Sequence, residues 1–426
     1  MANSFLSDHP KGLYLLFFVE MWERFSFYGM RALFLLFMVK EMMFSVEKAG
    51  NIYGLYTGFV YLTPLLGGFL ADRYLGQRRC VTIGAILMSL GLFMLSTDIK
   101  PLFFVALFTM IFANGFFKSN ISSILGMLYE DNKEKKDSAY TIFYMGINLG
   151  AFMSPLVCGT LAVKYGFTWG FFSAGVGMLL GLIMYKLLEN KYLKNAGLIP
   201  AGKKSEDNEV AEVDKEQKSR IFALFILMAF SVVFFTCFEQ AGSSLTLFAE
   251  YSVDRGFFGH EIPPYYFQSL NPLYIILFAP LMSCLWTYLA SKHKEPTSAE
   301  KFTFSLVLMG FAYSIMAIAG ALSANMPVSV MWLVVVYFIM TIAELCLSPI
   351  GLSLVSKLAP KQFLSLLMGC WFLTSFLGNL LAGFWGGKYE TMSHCIIFLT
   401  LAVLSFVSSC ILGMFVPKLN KIIDKK

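Results

Sequence analysis

E-M-W-E-R-F-S-F-Y-G-M-R, residues 20–31, sets two acids and two arginines inside a run that is otherwise apolar from Gly12 to Val39. A helix of that length spans a bilayer's hydrocarbon core, since ~30 Å divided by ~1.5 Å per residue is about 20 residues. A charge at mid-bilayer costs about 2.5–3.5 kcal/mol on insertion scales. Charges kept there pair with one another, line water, or do work. Glu20, Glu23/Arg24, Phe27/Tyr28 and Arg31 recur at three- and four-residue spacing, which puts them along one helical face.

The rest of the chain agrees with a membrane reading. Of 426 residues, 57% are hydrophobic and only 14% charged. A soluble domain carries about 45–50% apolar and about 25% charged residues, so this is expected to be a polytopic, all-α membrane protein. The first segment is too long and too rich in charge for a cleaved signal peptide. The net charge of +6 gives no clustered basic face for nucleic acid. The eight cysteines lie mostly in apolar runs without C-x-x-C spacing, which reads as packing rather than as a metal or disulfide framework.

Twelve spans are expected, at 12–39, 51–74, 80–97, 101–128, 138–163, 167–189, 218–249, 267–291, 302–323, 328–357, 362–387 and 391–416. The hydrophilic stretch at about 190–217 reads as a linker, which divides the chain into two six-helix bundles, 1–190 and 218–426. With both termini cytoplasmic, only Lys40, Lys48, Lys100, Lys164, Arg255 and Lys388 fall on the far side, an asymmetry that fixes the expected orientation.

Three further charges sit at membrane depth: Lys118 on span 4, Glu239 on span 7 and Glu344 on span 10. All the buried charges therefore fall on spans 1, 4, 7 and 10, the equivalent first helices of three-helix repeats, which would line a central cavity. Glu20 and Arg24 can pair within their helix, and Lys118 needs a carboxylate from another span, Glu20 or Glu23. A static ion-pair network is the plain alternative, but buried pairs gain little net stability after desolvation. Three positive and four negative charges leave one carboxylate without a formal partner, the kind of group that proton coupling requires. Together these features point to a transporter.

The same residues resemble a known family. Glu20–Arg31 resembles the ExxERFxxYG signature of proton-coupled oligopeptide transporters, a branch of the major facilitator superfamily. G-G-F-L-A-D-R-Y-L-G (67–76) looks like that superfamily's loop motif, and F-F-K-S-N-I-S (116–122) and F-Y-M-G-I-N-L-G-A-F (143–152) resemble the family's spans 4 and 5. F-E-Q-A-G-S-S-L (238–245), N-P-L-Y-I-I (271–276) and E-L-C-L-S-P-I-G-L-S (344–353) resemble its spans 7, 8 and 10.

The resemblance implies the major facilitator fold around a central cavity and import of di- and tripeptides driven by protons, with no cofactor and no metal. It implies that Arg24, Tyr28 and Lys118 hold the peptide carboxylate, and that Asn148, Asn271 and Glu344 hold its ammonium. Arg31 and Glu239 match a gate pair that responds to protonation, Glu20 and Glu23 match acids coupled to Lys118, and Tyr61, Trp371 and Ser375 match cavity-wall positions. The implied partners are the peptide, protons and the lipid bilayer of a plasma or bacterial inner membrane, with no nucleic acid and with a monomer as the working unit.

Elementary chemistry suits this assignment. A peptide's terminal charges have a fixed separation while its side chains vary, so a cationic and an anionic pole read the termini and ignore the sequence. Arginine offers a planar fork for carboxylate. Aromatic walls offer contact area without demanding one shape.

The chain departs from the family pattern at Ser119, where proline is common, at Phe27, where a second tyrosine is common, and in having a hydrophilic linker where many bacterial members insert two helices. Asn148 and Asn271 also read as interhelical hydrogen-bonding residues, and Tyr28, Tyr61 and Trp371 as packing. Asp72, Arg73, Arg78 and Arg79 read as a conformational latch at the end of span 2. Pro272, Pro280 and Pro349 are expected to kink their spans, and Gly146 and Gly150 to allow close helix approach.

Competing classes lack their signatures. No H-E-x-x-H marks a zinc protease and no G-x-x-x-x-G-K-[ST] marks an ATP-driven pump. A channel's acidic ring needs symmetry that these non-equivalent spans do not have. The remaining alternative is the same fold carrying another small zwitterionic or anionic solute, such as an amino acid or nitrate; an inorganic anion has no use for an acidic pole at Glu344.

Overall fold

The computed structural model describes residues 9–97, 99–130, 135–200, 215–257, 259–360 and 363–423. Twelve long helical spans follow one another: Lys11–Lys40, Val46–Leu70, Gln77–Leu95, Lys100–Leu128, Lys136–Tyr165, Phe167–Tyr192, Lys215–Phe238 continued by Ser244–Tyr251, Leu270–Ser291, Ser298–Leu322, Met331–Leu358, Leu364–Gly387 and His394–Ile423. Eleven are long and apolar enough to cross a membrane by length and composition. Span 1 is the exception: its 30 residues suffice in length, and its four buried charges spoil the composition. A helix satisfies its own backbone hydrogen bonds, the condition for lying in lipid, and the outward faces carry large apolar side chains such as Phe108, Leu187, Phe311 and Met414.

The chain divides into two compact units, Met1–Phe34 with Phe59–Asp207, and Leu35–Gly58 with Asn208–Lys426. In the first, span 3 packs on spans 4 and 6; in the second, span 9 packs on spans 10 and 12. This correspondence of third with fourth and sixth helix is the internal repeat that residue identities do not reveal. The segment Leu35–Gly58 joins the second unit because span 2 meets span 11 backbone to backbone. A Cβ on Gly50 would lie 2.6 Å from the Gly383 carbonyl oxygen, and one on Gly54 would lie 2.8 Å from that of Asn379. Most of the hydrophilic stretch after span 6 lies outside the described residues.

Span 7 is not one helix. It passes through a 3-10 turn at Glu239–Gly242 before resuming at Ser244. A break in a buried helix frees carbonyls that must be satisfied. Here the Tyr313 hydroxyl donates to the Cys237 carbonyl, while the Tyr337 and Thr246 hydroxyls donate to that of Ala241, at 3.2 and 2.8 Å. Gln240 ties the turn to span 11: its Nδ-like amide nitrogen Nε2 donates to the Thr236 and Ala382 carbonyls, and its Oε1 accepts from the Ser243 and Ser244 hydroxyls.

Two small sheets were not expected from the sequence. β1 (Val253–Asp254) runs parallel to β4 (Val328–Ser329), and β2 (Gly256–Phe257) pairs antiparallel with β3 (His260–Glu261). The first pair pins the loop after span 7 to the segment that leads into span 10, and the second is a hairpin within that loop. Pro272 stands in the first turn of span 8, directly after the 3-10 turn Pro264–Ser269. Pro280 and Pro349 do lie inside their helices.

Candidate functional site

The first unit collects the cationic groups. Gly146 and Gly150 let span 5 lie directly against span 1, where a Cβ at Gly146 would come within 3.0 Å of the Phe17 carbonyl oxygen. That approach fixes the rotation of span 1 and turns its charged face inward, leaving Glu20, Glu23, Arg24 and Arg31 all buried. Arg24 Nε lies 3.0 Å from Glu20 Oε1 and also pairs with Glu23 Oε2, so one guanidinium serves two carboxylates. These are contacts of charge rather than aligned hydrogen bonds. Glu20 Oε2 and Arg24 Nη2 are buried with no hydrogen-bond partner among the described residues.

Aromatic rings frame these charges. The Arg24 guanidinium carbon is 5.6 Å from the Phe27 ring, and that of Arg31 is 5.8 Å from the Tyr28 ring. Lys118, from span 4, holds its ammonium 4.3 Å from the Tyr61 ring centroid and acts electrostatically on both Glu20 and Glu23. Asn148 is buried on span 5, and its Nδ2 donates to the Tyr144 carbonyl of its own helix at 2.9 Å.

The departures from the family pattern are local. Span 4 runs unbroken through Ser119, whose hydroxyl donates to the Pro64 carbonyl at 3.2 Å and links spans 2 and 4. Arg78 caps the chain after span 6: its Nε donates to the Ala196 carbonyl at 2.7 Å, and its Nη2 donates to that of Lys194. Gln77 donates to Asp72 at 2.7 Å. Of the four residues read as a latch, Arg78, at the start of span 3, holds the segment after span 6, and Asp72 accepts from Gln77.

The second unit holds the two remaining acids, Glu239 and Glu344. Asn271, on span 8, donates through Nδ2 to Glu344 Oε2 on span 10 at 2.8 Å and to the Thr341 hydroxyl at 3.1 Å. Thr341 is itself oriented by donating to the Tyr337 carbonyl at 2.7 Å. Glu239 is buried as the first residue of the 3-10 turn that interrupts span 7. Trp371 is buried between the edges of Phe235 and Phe302, at 6.5 and 6.3 Å between ring centroids, and closes against Gly351. Ser375 is buried one turn along the same helix.

Each unit therefore brings its own predicted residues together: Glu20, Glu23, Arg24, Tyr28, Tyr61 and Lys118 in the first, and Asn271 with Glu344 in the second. Sequence reasoning missed three contributors. Asn114 precedes Lys118 by one helical turn and reaches Glu23; Thr341 precedes Glu344 on one face of span 10; Gln240 adjoins Glu239. Periodicity from the charged residues would have found the first two. Among the described residues no group of three His, Cys, Asp or Glu side chains could hold a metal ion.

Twelve spans in two repeat-related halves, with charges buried on spans 1 and 7 and half-buried on spans 4 and 10, define a transporter of the major facilitator fold. The chain belongs to the POT family, whose PTR2 model matches residues 78–196 and 186–395. It is 34% identical to the peptide transporter YePEPT of Yersinia enterocolitica, over 90% of this chain and 88% of that one. It is 30% identical to dipeptide and tripeptide permease B of Photorhabdus asymbiotica, over 100% of this chain and 99% of that one. Among solved structures, a peptide transporter POT in complex with sulfate superposes with a TM-score of 0.92 at 32% identity, covering 97% of this chain and 96% of that one.

Proposed function

We propose that this protein is a proton-coupled symporter that imports di- and tripeptides by alternating access. It works as a monomer in the cell membrane with both termini in the cytoplasm. The observation that carries the reading is the buried Arg24 guanidinium, which leans on two acids of its own helix and keeps Nη2 without a partner. An unsatisfied buried donor of this kind is costly unless a ligand acceptor completes it. A peptide carboxylate supplies that acceptor, and a fork of N–H groups suits it.

In this reading Arg24, Tyr28 and Lys118 bind the carboxylate, while Glu344, Asn271 and Asn148 bind the amino terminus. Tyr61, Trp371 and Ser375 accommodate side chains. Once the substrate carboxylate takes up the guanidinium, Glu20 and Glu23 lose part of their counter-charge and take up a proton; Glu239 with Arg31 forms the gate that senses the same event. The alternative solutes are an amino acid or nitrate; nitrate has less support, because an inorganic anion leaves the Asn271–Glu344 pair without a purpose.

Uptake of a labelled dipeptide into proteoliposomes, with and without an imposed inward proton gradient, tests the proposal. Accumulation above equilibrium only with the gradient is expected. Saturable uptake that ignores the gradient refutes symport, and no saturable uptake refutes the substrate class.

A further inference from the structure

Asn114 is fully buried on span 4, and nothing in the reading above uses it. Its Nδ2 is 3.5 Å from Glu23 Oε1, and its Oδ1 is buried with no hydrogen-bond partner among the described residues. A buried amide with one half aimed at a carboxylate and the other half idle is an unusual choice, since an idle buried acceptor is destabilising. An apolar side chain carries no such cost. The polar side chain has to serve a second state.

The second state is supplied by the chemistry of the carboxyl group. An ionised carboxylate only accepts hydrogen bonds, and a protonated one must also donate. An amide can answer both. Facing the carboxylate, Nδ2–H donates to it. When a proton from water forms an O–H bond on Glu23, half a turn about the terminal amide torsion brings Oδ1 to accept from that O–H. This torsion is soft and roughly two-fold. The turn gives up no bond at Oδ1, because Oδ1 has none.

We propose that Asn114 is the positioning residue that follows the protonation state of Glu23, offering a donor to the charged form and an acceptor to the neutral form. The inference rests on the proton-coupled reading above. The charged groups that face Glu23 are Glu20 and Arg24 on its own span and Lys118 on span 4. Asn114 stands one turn from Lys118 on the same face, so the lysine and the amide approach Glu23 together. The lysine sets the field and the amide sets which oxygen carries the proton.

The test compares the parent chain with Asn114→Leu, Glu23→Gln and the exchange variant Asn114→Asp/Glu23→Gln. The exchange keeps every side chain isosteric and reverses which partner is the acid. Each protein is reconstituted and assayed for gradient-driven dipeptide accumulation, for counterflow at equal pH, and for the pH at which uptake is half-maximal. Asn114→Leu is expected to keep counterflow and to move the half-maximal pH upward by about half a unit to one unit, because the charged form loses the stronger hydrogen bond. Glu23→Gln is expected to lose driven accumulation, and the exchange variant to recover it to within about twofold of the parent; rescue of this kind separates coupling from packing.

An Asn114→Leu profile identical to the parent overturns the proposal, as does an exchange variant that behaves like Glu23→Gln. If Asn114→Leu does not fold, the exchange variant alone decides. A parent chain without gradient dependence refutes the symport reading first and removes this inference with it.

Discussion

Replacing Glu344 by glutamine removes one charge and almost nothing else. Asn271 Nδ2 donates to Glu344 Oε2 at 2.8 Å, and the amide oxygen of glutamine accepts the same bond. Asn271 also keeps its 3.1 Å bond to Thr341. The fold should therefore be preserved, with a stability change below about 1 kcal/mol, as for an exposed or half-buried isosteric change. The effect falls on the ligand. A carboxylate binds an ammonium through a charge-assisted bond worth about 1.5–3 kcal/mol, against about 0.5–1.5 kcal/mol for a neutral one. The difference of about 1–2 kcal/mol corresponds to about 5- to 30-fold in affinity.

The assay that isolates this charge is competition against labelled dipeptide by an unlabelled dipeptide and by its N-acetylated form. In the parent, the free amine should compete about 5- to 30-fold better than the acetylated form. In Glu344→Gln that preference should vanish, with the acetylated form nearly unaffected. A variant that keeps the preference for a free amine would falsify the assignment of Glu344 as the ammonium ligand.

Three other perturbations have expected outcomes. Glu20→Gln should abolish gradient-driven accumulation while leaving counterflow exchange measurable; surviving accumulation would move the proton site elsewhere. Gly54→Val puts a side chain where a Cβ already meets the Gly383 Cα at 2.9 Å, and overpacking of that kind costs about 1–3 kcal/mol, readable as a lower thermal unfolding midpoint in detergent. Tyr313→Phe strips the hydroxyl from the buried Cys237 carbonyl and should cost about 1–3 kcal/mol, whereas Tyr337→Phe should cost less because Thr246 still serves the Ala241 carbonyl. Equal losses for the two tyrosines would contradict that account of the span 7 break.

The long spans were legible because lipid imposes one rule on every residue of a helix, and hydropathy reports it directly. The charged face of span 1 was legible for the opposite reason: Glu20, Glu23, Arg24 and Arg31 violate that rule at helical spacing. What escaped notice depends on contacts between segments far apart in sequence. Nothing within residues 238–244 announces a 3-10 turn, because the turn is held by Tyr313 and Tyr337, residues distant in the chain. Strands of two residues carry no periodicity, so β1 and β4 were out of reach. Nothing in the residues around Asn114 names its partner, because Glu23 lies on another span.

The two sets of charges differ in how they are built, and the difference bears on a cycle of opening and closing. Glu20, Glu23 and Arg24 lie on a single helix, so their ion pairs travel with span 1 and survive any rigid movement of it. The Asn271–Glu344 bond instead joins span 8 to span 10, with Thr341 fixing the angle. Relative movement of those two spans must stretch or break it. The cationic set is thus a constant of the molecule, while the acidic set is strong only when spans 8 and 10 are close. In the proposed reading, affinity for an ammonium group is therefore the property that conformation can vary, and affinity for a carboxylate is the one that the local balance of protons must vary.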